Sequence, residues 1–262
     1  MTGPLRRERP EDGVVLLTLD LPDRRNAMTE ELTAAWGAAV EDLRGDRGVR
    51  CVVVTGAGRA FCAGGDLGWL SAEPDASVDE LRDRMMPFYR TWLSLRSLEV
   101  PSICALNGAA VGAGAALALS CDIRYAATSA KFTVPFAQLG LHAGMATTWL
   151  LPEVVGLAAA RELLFTGRVA DSAEMLHLGL VSAVHPDDGL MSAALTAARA
   201  VAAGAPIATK LHKVALANGG HASYERALEW EGLAQPVTLA TADVQEGLRA
   251  RVDKRPAVFT GR

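Results

Sequence analysis

Along residues 13–106 the spacing of apolar positions switches repeatedly between the strand and helix periods. GVVLLTLDLP (13–22) is a β-branched apolar run closed by proline, which predicts a strand. TEELTAAWGAAVEDLRGD (29–46) places Leu32, Trp36, Val40 and Leu43 on one helical face behind Thr29, a residue type that caps helix N-termini. VRCVVVTG (49–56) is continuous and apolar, the pattern of a strand buried on both faces. SVDELRDRMMPFYRTWLSLRSL (77–98) returns to helical spacing. Ser77 and Glu80 form a capping box at its start, and Pro87, which lacks an N–H, is expected to kink it. PSICAL (101–106) is another buried strand and runs straight into GAAVGAGAA (108–116), where eight of nine residues are Gly or Ala. This alternation predicts a right-handed α/β core.

After Asp122 the pattern changes. DIRYAATSAKFTVP reads as extended segments, AARELLFTG as a helix stopped by Gly167, and DSAEMLHLGLV as a helix capped by Asp171 with Glu174. From Met191 the chain reads as almost wholly helical, with Pro206 in a first turn and a basic amphipathic segment at the end. The expected organisation is an α/β core over 1–190 closely joined to a helical region over 191–262.

Composition narrows the function. Half of the 262 residues are hydrophobic, enough for a large core without disulfides or metals. A formal net charge of −4 provides no global basic field for nucleic acid or an anionic membrane. No apolar run reaches membrane-spanning length, and MTGPLRRERPEDG lacks the apolar stretch of a signal peptide, so a cytoplasmic protein is expected. Cys51, Cys62, Cys104 and Cys121 are scattered, form no CxxC and read as free structural thiols. The five histidines form no HExxH, so no metal is expected.

Two glycine-rich stretches carry the candidate chemistry. AFCAGGDL (60–67) follows one predicted strand, and NGAAVGAGAAL (107–117) follows another and begins a helix. Backbone amides at such junctions converge, and the helix dipole favours negative charge there. Two loops of this kind can set two N–H donors on one oxygen, as an enolate or tetrahedral oxyanion requires. The same small residues also serve plain helix–sheet packing. GAGRAF and GAGAAL match a dinucleotide fingerprint only in part, and the surrounding elements are in the wrong order for one.

PDRRNAM, GAGRAFCAGGDL, NGAAVGAGAALALSCDIRYA, FTVPFAQLGL, LFTGRVADSAEMLHLGLVSAVHP and EGLRARVDKRPAVFTGR, in that order, resemble the enoyl-CoA hydratase/isomerase (crotonase) superfamily over nearly the whole chain. The resemblance implies a spiral of ββα units with a C-terminal helical region used in assembly as a homotrimer or dimer of trimers. It implies an acyl-CoA thioester as substrate, with coenzyme A entering as part of that substrate and no separate cofactor. The oxyanion-hole amides would be those of Gly65 and Ala113, beside Gly112. Arg24 or Arg25 would meet a coenzyme A phosphate and Ala27 would lie near the adenine. Ala63 and Asp66 would line the adenine and pantetheine, Leu67, Gly112 and Phe136 would also contact the substrate, and Lys254 would reach the phosphates.

The two glutamates that hydratases of this family carry correspond to Ala116 and Phe136, and the acid of some isomerases and dehalogenases to Gly144. Adding water to an enoyl group needs a base for the water and an acid for the α-carbon. Without them, a double-bond isomerase or C–C lyase is expected rather than a two-glutamate hydratase. Decarboxylation of a malonyl-type ester and catalytically silent acyl-CoA binding are the alternatives. Asp122 is expected to be structural, and Ser120 and Cys121 to be packing residues. His142 is the titratable side chain of LGLHAGMATTW, and an imidazole can give or take a proton. A lone histidine also serves as a hydrogen-bonded structural residue. Trp69, Met85, Met86 and Phe88 are candidates for the acyl pocket. Glu73, Asp79, Glu80 and Asp83 are candidates for a displaced catalytic carboxylate on a lid.

Overall fold

A computed structural model describes residues 3–66, 68, 75–217 and 223–262. Two sheets are built by a chain that visits them alternately. The larger has the order β1 (Leu5–Glu11), β2 (Val14–Leu19), β3 (Cys51–Gly56), β5 (Ser102–Leu106), β7 (Ile123–Ala127), β10 (Ala183–His185). The smaller has the order β4 (Ala60–Cys62), β6 (Ala109–Val111), β8 (Lys131–Thr133), β9 (Ala170–Asp171). From β2 to β10 the neighbours in the large sheet are parallel, as are β4, β6 and β8 in the small one. Each turn of the chain therefore adds one strand to each sheet and then a helix, which is the expected spiral of ββα units.

The helices follow the sequence pattern where capping chemistry is local. α1 (Glu30–Gly45) starts at Thr29, whose Oγ1 accepts from the Leu32 amide at 3.2 Å. Its predicted face, Leu32, Trp36, Val40 and Leu43, is buried, and Trp36 stacks on Trp92 of α2 (Val78–Leu93) with centroids 5.1 Å apart. The Ser77–Glu80 capping box is formed. The helix continues through Pro87 rather than dividing there: the proline lies on the exposed face, while Phe88 and Trp92 anchor the buried one.

α3 (Ala113–Ser120) is short and almost entirely buried. α4 (Thr147–Thr166) begins well before AARELLFTG and carries a non-helical residue, Gly156 (φ +75°), before ending at Gly167. α5 (Ser172–His177) is capped by Asp171 as expected.

α6 (Leu190–Ala202) buries Leu190, Ala194, Ala198 and Ala202 against the large sheet, so the expected boundary at 190/191 falls inside an element of the core. α7 (Pro206–Ala217), α8 (Tyr224–Leu239) and α9 (Ala242–Asp253) complete the C-terminal region. Asp122 is structural. It accepts from the Ser102 amide and hydroxyl at 2.7 and 2.8 Å and pairs at 2.9 Å with Lys213 of α7, whose side chain is buried and also donates to the Val100 carbonyl.

β1 has no apolar signature: LRRERPE is a charged edge strand, tied by Arg6 to Asp20 and by Arg7 to Asp42. The four cysteines are buried and unpaired, as expected. Among the described residues no single helix is long and apolar enough to cross a membrane, and no cluster of His, Cys, Asp or Glu could hold a metal.

Candidate active site

β4 and β6 are parallel neighbours, with Cys62 beside Ala110, so the two glycine-rich loops leave the small sheet side by side. A side chain on Gly114 would overlap the Cys62 carbonyl, and a Cβ on Gly64 (φ +93°) would stand 2.6 Å from the Val111 carbonyl oxygen. Only glycine permits both approaches. Gly112 (φ +54°) caps α3, and Ala113 is its first residue. The Ala113 N–H is thus one of the four that an α-helix leaves without an internal acceptor. Among the described residues neither the Ala113 N–H nor the Gly65 N–H has a hydrogen-bond partner.

Gly65 and Ala113 both border one cavity of about 140 Å³. Most of its other walls are apolar, with Met85, Phe88, Phe136 and Met145 among them. Two side chains that exchange protons border it, Tyr89 and His142, and no carboxylate does so among the described residues. His142 is exposed and its Nδ1 lies 2.8 Å from the Ala143 carbonyl. A carbonyl only accepts, so Nδ1 is the donor in this contact. Tyr89 is half-buried, and burial raises its phenol above the ordinary value, which keeps it protonated at neutral pH.

The remaining expected residues are spread over several places. Arg24 and Asp66 are ion-paired and border an open groove of about 540 Å³, together with Glu30 and Glu31. Since Gly65 borders the cavity and Asp66 the groove, the two meet along the chain. Arg25 (φ +53°) is exposed, with its carbonyl accepting from the Ala63 amide at 2.9 Å, and Ala63 borders the cavity. Ala27 donates back to the Arg24 carbonyl in the same turn. Lys254 is apart from them, exposed at the left-handed C-cap of α9 and bordering neither space. Leu67, Trp69 and Glu73 lie outside the described residues. Asp79, Glu80 and Asp83 are exposed and none borders the cavity. The Ser77 hydroxyl and amide engage the Glu80 carboxyl and hold it below the usual range. Met86 is exposed, Ala116 is fully buried, and the Ser120 hydroxyl is spent on the Leu117 carbonyl.

Two asparagines shape the site without having been singled out. Asn26, buried and at φ +56°, donates to the Ala57 and Ala60 carbonyls at 2.9 and 2.8 Å and accepts from the Leu21 amide. Asn107 accepts from the Gly56 amide and donates to the Gly58 carbonyl, both at 3.0 Å. Together they pin the strand-to-loop path that delivers Gly64 and Gly65. The signal available was their type, since Asn tolerates left-handed backbone and bonds to nearby main chain.

The family model of enoyl-CoA hydratase/isomerase matches residues 9–262. The 1,2-epoxyphenylacetyl-CoA isomerase of Escherichia coli is 36% identical over 253 residues, 96% of this chain and 97% of that protein. The crystal structure of an enoyl-CoA hydratase from Bacillus anthracis superposes with a TM-score of 0.92 at 31% identity, covering 99% of this chain and 100% of that one. An enoyl-CoA hydratase from Mycobacterium smegmatis gives 0.91 at 30% identity, over 98% and 99%. Spiral, helices and sequence agree along the whole length, and the chain belongs to the enoyl-CoA hydratase/isomerase (crotonase) family.

Proposed function

We propose that the protein is an acyl-CoA enzyme in which the Gly65 and Ala113 amides polarise the thioester carbonyl and hold the enolate oxygen that forms. The observation that carries this is that Gly65 and Ala113, whose N–H groups have no partner among the described residues, border one largely apolar cavity, Ala113 at a helix N-terminus. Donors fixed in advance at a dry site stabilise developing charge without reorganising, an effect worth roughly 10²–10³ in rate per donor. The names of the relatives, an acyl-CoA isomerase and enoyl-CoA hydratases, support a thioester ligand.

The reaction is double-bond isomerisation or C–C cleavage rather than hydration. Rapid hydration needs two positioned proton-transfer groups facing a water, and no carboxylate borders the cavity among the described residues. In isomerisation, Nε2 of His142 takes a proton from the acyl chain while the electron pair moves onto the thioester oxygen. The pair then returns to a different carbon, which recovers the proton. Arg24 and the backbone from Arg25 to Ala27 receive the coenzyme A end along the open groove, with Lys254 supplied by another subunit of a homotrimer or dimer of trimers. The exposed Leu228, Leu233, Val237 and Val252 of α8 and α9 are consistent with such assembly.

The test is incubation with enoyl-, β-oxoacyl- and malonyl-type CoA esters, followed by mass spectrometry. Conversion of an enoyl or β-oxoacyl ester with little hydration of crotonyl-CoA is expected. Loss of carbon dioxide from the malonyl-type ester would identify a decarboxylase, binding without turnover a silent binder, and fast crotonyl-CoA hydration would overturn the reading.

A further inference from the structure

The Tyr89 hydroxyl is the one polar side-chain tip that α2 brings to the cavity. It is seated on Gly144: a Cβ at that glycine would stand 2.5 Å from Oη and 3.0 Å from Cζ, so the phenol occupies the space a larger residue would fill. Although half-buried, Oη has no hydrogen-bond partner among the described residues. The side chains of Phe88, beside it on the same helix, and of Phe136 and Met145 in the cavity wall offer it no acceptor. A protonated donor with no partner among the described residues is therefore held in the largely apolar space assigned to the acyl group.

We propose that Tyr89 is a specificity-determining residue that donates a hydrogen bond to an oxygen atom on the acyl chain, so that the site selects oxygenated acyl-CoA esters over plain hydrocarbon ones. This rests on the acyl-CoA reading above. A hydrocarbon chain entering the cavity strips water from the phenol and returns nothing, whereas a hydroxyl, oxo or epoxide oxygen accepts its proton. Sites built around a polar partner discriminate strongly against ligands that lack one, because the buried group is left unpaired. Gly144 is part of the device, since its missing side chain is what admits the phenol tip.

The experiment is calorimetric titration of the full-length protein with 3-hydroxybutyryl-CoA and butyryl-CoA, which differ by one oxygen. The expected result is about tenfold tighter binding of the hydroxylated ester, the size of one net hydrogen bond. Tyr89→Phe brings the ratio close to one. Gly144→Ala, whose methyl displaces Oη, lowers the ratio in the parent protein and has no further effect in the Tyr89→Phe background. It also carries the test should Tyr89→Phe fail to fold. Equal binding of the two esters by the parent protein, or a preference untouched by both substitutions, overturns the proposal and leaves the acyl-CoA reading standing. If neither ester binds, the acyl-CoA reading fails and the proposal falls with it.

Discussion

The α-carbon of Gly114 lies against the carbonyl of Cys62, so close that a side chain at 114 would overlap it. This contact holds the start of α3 beside the first glycine loop. The obstructing atoms are main chain and cannot swing aside. Gly114→Ala is expected to cost about 1–3 kcal/mol, as overpacking does, and to separate the two amides. Thermal unfolding measures the first effect and turnover the second. Unchanged values for both would show that the loops do not depend on this contact.

Ala113 offers a cleaner removal of one donor. It is the first residue of α3, the helical position that proline tolerates. Ala113→Pro should leave the helix and the melting temperature nearly unchanged while lowering kcat by roughly 10²–10³. A variant that folds and turns over normally would remove this amide from the mechanism.

His142 is exposed and its Nδ1 is engaged by its own neighbour's carbonyl, so its ring contributes little to the fold. His142→Gln should lower kcat by roughly 10²-fold or more, the scale of a lost proton-transfer group, with KM close to the parent value. A silent substitution would leave the proton to a group on another element.

The thiols provide a test of the core itself. Burial pushes Cys51 and Cys62 up to about 12, and raises Cys104 well above its ordinary value. A thiol reacts as its thiolate. Iodoacetamide at pH 8 is expected to modify none of these three in the folded protein and all of them in urea. Labelling of Cys62 under native conditions would mean that the first glycine loop opens.

The C-terminal tail has its own acid limit. Glu246 is held down to about 2 by the Arg255 guanidinium, aided by the Val258 amide. A carboxyl depressed in the folded state stabilises it fully above its unfolded value and loses that contribution as pH falls through the folded one. Docking of the tail should therefore persist at pH 5 and weaken between about pH 4.5 and 2. NMR signals of residues 256–261 report it, and Glu246→Gln should free the tail at neutral pH as well. A tail equally ordered in that variant would assign the docking to Asp243, which accepts from the Thr260 and Gly261 amides, and to Arg50, which donates to the Phe259 carbonyl.

What the sequence reveals depends on whether the signal is local. The caps at Thr29, Ser77 and Asp171, the buried strands and the start of α3 at Ala113 are written in neighbouring residues. β1 was illegible because an edge strand displays charge rather than apolar alternation. The start of α4 was illegible because Met145 and Ala146 both adopt left-handed backbone that their residue types do not announce. Two converging amides were one reading of the loops, and only the family resemblance points to Gly65 and Ala113; Tyr89 is signalled by neither. In the sequence Tyr89 is one more residue of a helix, and only the fold sets Gly144, from a distant loop, beneath its hydroxyl.

The buried ion pair of Lys213 and Asp122 also bears on synthesis of the chain. Lys213 reaches back to Val100, 113 positions earlier, and to a carboxylate that Ser102 already holds. Its binding place exists only once β5 and β7 lie side by side. On the ribosome, α7 thus has nowhere to lodge its charge until these two strands have paired.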